Sequence, residues 1–152
     1  MYPLNISRTV KLIVGTCLNV RPGKRVLVIG YTDEEVRLAG ALAAECAGVG
    51  AEPAIVVVEP PRAVEPPEFL VEAMKKVDTV VCLASVDYGH TKARKALTAA
   101  GIDFAYIPDL MNEELTELGI RPEDLLGVSD RTIAMGAAVS RAGTAKVTSP
   151  AG

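Results

Sequence analysis

Tryptophan is absent from this chain, phenylalanine occurs twice, and the only histidine is His90. One imidazole excludes a HExxH motif or a histidine-rich centre, because a hydrolytic metal site gathers about three or more His, Asp, Glu or Cys ligands. Cysteine is sparse as well. Cys17, Cys46 and Cys82 are odd in number, far apart and set among apolar neighbours. Lacking CxxC spacing, they exclude a zinc cluster and a disulfide framework, and read as small buried hydrophobes in a reducing compartment. No apolar run approaches the roughly 20 residues that span a bilayer, which argues against a membrane partner. The opening residues place Arg8 and Lys11 inside an amphipathic pattern rather than an apolar signal core, so the expected location is cytoplasmic.

An excess of charge of one sign is missing too. Sixteen basic residues against nineteen acidic ones leave a net charge of −3, and the two signs are interspersed. That is no footprint for nucleic acid. Lys92, Arg94 and Lys95 do cluster, but a solvated helix face accounts for them. Several motifs are also lacking. The turn after the first predicted strand, GYTDEE, has one glycine, Gly30, where a dinucleotide fingerprint needs several. Its acids compete with a bound phosphate for the same helix start. No GxxxxGK[ST] loop and no GxSxG elbow occurs, and Ser85 lies too close to His90 in sequence for a nucleophilic triad. No long-period repeat points to a solenoid.

What is present is a regular alternation of helices and strands. Ile6, Val10, Ile13, Val14, Cys17 and Leu18 predict one apolar stripe on an opening helix, ended by Pro22 and Gly23. The β-branched run Val26 to Gly30 predicts the first central strand. Thr32 and Glu35 form a capping-box pair at the start of a helix that Gly48 and Gly50 end. Ala54 to Glu59 predicts the second strand, after Pro53. A proline-rich connection then leads into a short helix buried through Phe69, Leu70, Ala73, Met74 and Val77. Val80 to Ala84 reads as a strand buried on both faces, and Ile102 to Ile107 as a fourth strand after a helix closed by Gly101. A short helix over Asn112 to Leu118, a longer one from Pro122 to about Ala142 and a β-rich piece from Lys146 to Ser149 complete the prediction. In the longer helix Val128, Thr132, Met135, Gly136 and Val139 are expected to face inward. The order predicts an α/β fold: a three-layer α/β/α domain over residues 1–152 with a mostly parallel sheet, flavodoxin-like or Rossmann-like in outline.

Open parallel sheets bind ligands beyond the carboxyl ends of their strands. The third strand empties there into Ser85, Asp87, Tyr88, His90 and Thr91. Hydroxyls, an imidazole and a helix start suit an anionic group or a domain contact, while Ser85 or Asp87 acting as a plain helix cap explains the same residues. Tyr31 and Thr32 after the first strand, and Asp109 after the fourth, are the remaining candidates at this edge. Asp33, Glu59, Asp87 and Asp109 also lie at strand ends, without forming a recognisable metal motif.

The segments CLNVRPGKRVLVIGYTDE, AGVGAEPAIVVVEPPRAVEPPEFLVEAMKKVDTVV, SVDYGHTKARKALTAAGIDFAYIPDL and AKVTSPAG, in this order, resemble the N-terminal domain of leucyl aminopeptidases of the aminopeptidase T type. That family of metal-dependent exopeptidases is related to a ring-opening dihydroxypyridine dioxygenase. The resemblance covers essentially the whole chain and is most specific around GHTKAR. It implies an accessory domain of a hydrolase that removes N-terminal amino acids. The metal ligands, for zinc or cobalt, belong to a C-terminal domain with no counterpart in residues 1–152. It therefore implies no catalytic residue, metal ligand or cofactor here, the C-terminal metal domain as partner, and a homodimer for the full protein. An iron-dependent ring-cleaving enzyme with the same N-terminal domain, and a free-standing small-anion-binding module, are the alternative expectations.

Overall fold

The computed structural model describes residues 4–59, 64–83, 88–107 and 122–149. The chain divides into two compact units, Met1–Gly119 and Ile120–Gly152. In the first, helix α1 (Leu4–Leu12) runs into one π-helical turn (Ile13–Cys17), followed by strand β1 (Arg25–Gly30), helix α2 (Asp33–Gly48) and strand β2 (Glu52–Val57). Helix α3 (Glu68–Met74), strand β3 (Thr79–Cys82), a short 3-10 turn (Tyr88–His90), helix α4 (Lys92–Ala99) and strand β4 (Asp103–Tyr106) complete it. The strands form one parallel sheet in the order β2-β1-β3-β4. The second unit contains helix α5 (Pro122–Arg141).

Side-chain alternation along β1 builds the three layers. Val26 and Val28 point to one core with Ile6, Val10, Leu38 and Leu42 of α1 and α2. Leu27 and Ile29 point to the other, with Leu70 and Met74 of α3 and Leu97 of α4. A strand sandwiched in this way needs apolar residues at every position, which is why RVLVIG and TVVC are continuous runs. Each fully buried Val, Leu or Ile contributes about 1.5–3 kcal/mol. The fold is thus the expected three-layer α/β type. The strand order adds what the sequence withheld: connections leave β1 towards β2 and then cross to β3, so the topology reverses between β1 and β3.

Two helix ends use the same device. After α2, Gly50 at φ 83° lets Ala51 N–H reach Cys46 O and Gly50 N–H reach Ala47 O. After α4, Gly101 at φ 79° repeats the pair with Leu97 and Thr98. Both are left-handed closures that favour glycine.

Some details depart from expectation. Pro53 lies within β2 and not before it, which an edge strand tolerates because proline's missing N–H faces outward. The π turn shifts the register of the opening helix and leaves Cys17 exposed, while Cys46 and Cys82 are buried. Phe69 is exposed and not part of the stripe of α3, which buries Leu70 and Met74 and packs the half-buried Ala73 and the following Val77 against the same core. Along α5, Val128, Thr132, Met135, Gly136 and Val139 are exposed and do not face inward. Residues 146–149 form no strand. The predicted helix over Asn112 to Leu118 lies outside the described residues.

Candidate functional site

The carboxyl ends of β1 and β3 meet at the topological reversal, and there the chain gathers the predicted residues that it describes. Tyr31 follows β1 directly, and Tyr88 opens the 3-10 turn that follows β3. Their rings make an edge-on contact with centroids 6.1 Å apart. Edge-to-face pairs of this kind contribute about 0.5–1.5 kcal/mol beyond their buried area. Gly30 permits the close approach of β1 to the next helix, since a Cβ there would stand 3.3 Å from the Glu35 carbonyl carbon and the Val36 nitrogen.

The two helices that follow β1 and β3, α2 and α4, each begin with a threonine cap. Thr32 Oγ1 accepts from Glu35 N–H at 3.2 Å, and Glu35 Oε2 accepts in return from Thr32 N–H at 2.9 Å and Tyr31 N–H at 2.6 Å. This completes the capping box that the sequence predicts. Thr91, which is buried, caps α4: its Oγ1 accepts from Arg94 N–H at 3.1 Å and donates to Tyr88 O at 2.9 Å. The cap of α4 is therefore Thr91, and its hydroxyl is committed to the backbone. His90 ends the 3-10 turn and is exposed. Ser85, Asp87 and Asp109 lie outside the described residues.

One residue at this edge escaped the sequence reading. Glu65, from the proline-rich connection, accepts from Lys92 N–H at 2.8 Å and Ala93 N–H at 3.3 Å. Its carboxylate thus occupies the position at the start of α4 where an outside anion would bind. No local signal gives this contact away, since Glu65 lies in a different connection from the helix that it caps.

The two phenols differ from everything around them. Tyr31 is 8% exposed and Tyr88 0%, and neither hydroxyl has a hydrogen-bond partner among the described residues. Burial pushes the pKa of Tyr31 far up, with the neighbouring Tyr88 and Cys82 side chains adding to it, and burial likewise raises that of Tyr88. The groups are near enough to affect one another's ionisation without meeting in hydrogen-bonding geometry. A buried hydroxyl left unpaired costs about 1–3 kcal/mol, so this pair is the unusual feature of the edge. It presents two neutral O–H donors. Among the described residues no group of three or more His, Cys, Asp or Glu is placed to hold a metal ion.

No family model matches the chain, and no curated protein sequence matches it either. Solved structures do match. One of them, wild-type AmpT from Thermus thermophilus, is similar at a TM-score of 0.44 and 15% sequence identity, over 68% of this chain and 35% of that one. The chain spans about a third of the length of that protein.

Proposed function

We propose that this chain is the non-catalytic α/β domain of a metal-dependent aminopeptidase, presenting the carboxyl edge of its sheet to a cleft whose reacting groups lie in a further domain. One observation carries the reading: GYTDE and YGHTKAR, two of the segments through which the sequence resembles that family, come together at one edge through the contact of Tyr31 with Tyr88. On this reading the chain itself hydrolyses nothing. Zinc or cobalt would be held by the further domain, the full protein would be a homodimer, and it would act in the cytoplasm. Among the described residues no helix is long and apolar enough to cross a membrane.

The test compares residues 1–152 with the longer product of the same reading frame on leucine p-nitroanilide, with zinc or cobalt supplied. The extended protein is expected to release p-nitroaniline and to lose that activity to a chelator, while the short chain stays silent. Steady chelator-sensitive turnover by the short chain would overturn the proposal.

A further inference from the structure

The reversal between β1 and β3 is flanked by two helix starts, and acids of the chain itself close both. Glu35 engages the N–H groups of Tyr31 and Thr32, and Glu65 engages those of Lys92 and Ala93. The amides that would receive a phosphate or carboxylate are therefore taken, and the carboxylates repel a second anion. Between the two starts stand Tyr31 and Tyr88, each more than nine-tenths buried, with hydroxyls that have no partner among the described residues. Folded proteins retain few such groups.

Two neighbouring phenol O–H donors match one oxygen that carries two lone pairs. A neutral oxygen suits the place better than an ionised one, since burial penalises a charge far more than a carbonyl and the flanking groups are acids. We propose that the Tyr31–Tyr88 pair is a binding site for a neutral carbonyl oxygen of the amide class, brought to the β1–β3 reversal by a small ligand. Each phenol donates one hydrogen bond to that oxygen. Both hydroxyls are themselves buried, so the ligand oxygen takes a place that opens by a small displacement of the rings.

The four tyrosines and the lack of tryptophan make the near-ultraviolet absorbance of the chain a direct readout. The probes are N-acetyl-leucinamide, which is neutral, and N-acetyl-leucine, its carboxylate counterpart. Their leucyl body follows the peptidase reading, but binding is measured on the chain alone and is independent of any turnover. The expected result is a saturable tyrosine difference spectrum with the amide, at least tenfold weaker with the acid and at least tenfold weaker in Tyr31→Phe and in Tyr88→Phe. Both variants keep the ring, and without probe their Tm should not fall below that of the unaltered chain. Absence of saturation, equal binding by the double variant, or a marked fall in Tm on removing either hydroxyl would each overturn the inference.

Discussion

The two ends of the sheet handle their polar groups in opposite ways. At the amino end, the Asp78 carboxylate accepts from Arg25 N–H at 2.8 Å, from Arg25 Nε at 3.2 Å and from the guanidinium again at 3.4 Å. The backbone adds Asp78 N–H to Arg25 O and Asp103 N–H to Asp78 O, so the entries to β1, β3 and β4 are laced together. At the carboxyl end the starts of α2 and α4 are capped as well, yet two phenol hydroxyls remain without partners among the described residues. A fold able to pair its polar groups so completely at one end has kept an unpaired couple at the other. The difference is what makes the carboxyl edge the place at which a binding site is proposed.

The largest effect should come from crowding that edge. Gly30→Val drives a branched side chain into the first turn of α2, and should cost about 1–3 kcal/mol in urea unfolding. Thr32→Ala removes the cap of α2 and should cost about 1 kcal/mol, whereas Thr32→Ser should recover most of it. Glu65→Gln takes the charge from the start of α4 and should cost about 0.3–1 kcal/mol, less in high salt.

Smaller effects appear as pH responses that separate the two ends. Arg25 holds the Asp78 carboxyl below its ordinary range, chiefly through its side-chain hydrogen bond and then its backbone N–H. The stability this provides is complete above the usual carboxylate pKa of about 3.9 and is lost as pH falls through the folded value. Asp78→Asn should therefore lower Tm near neutrality and flatten the acid limb of the Tm profile. Tyr31 and Tyr88 behave in the opposite sense. Burial raises their folded pKa values, so their contribution is complete below the usual phenol value of about 10 and is lost above it, where the unfolded chain sheds their protons. Tyr31→Phe and Tyr88→Phe should leave Tm at neutral pH unchanged or slightly higher and weaken only the alkaline limb.

The fold was legible wherever short-range patterning decides it. Continuous apolar runs gave β1 and β3, Thr32 with Glu35 gave the start of α2, and Gly50 and Gly101 gave two helix ends. These signals lie within a few residues of the structure that they specify. Strand order did not, because pairing β1 with β3 is a long-range packing choice that no local pattern encodes. The rule that ligands bind beyond strand ends named the edge at which the site is proposed, and Tyr31, Thr32, Tyr88, His90 and Thr91 all lie there. The capping acid Glu65 and the missing partners of the two phenols were not, since both depend on contacts between segments distant in sequence. Phe69 misled because helical periodicity places a residue on a stripe without saying how much of the stripe the sheet covers.

The π turn after α1 has a practical outcome. It carries Cys17 to the outside while Cys46 and Cys82 stay covered by the layers of the sheet. The surroundings that the Cys17 thiol still touches raise its pKa, so mildly alkaline maleimide or a disulfide-exchange dye should label it in preference to the other two. An unaltered chain therefore brings its own single attachment point for a fluorophore or spin label, on the α1 side of the sheet, while Tyr31 and Tyr88 belong to the core on the other side.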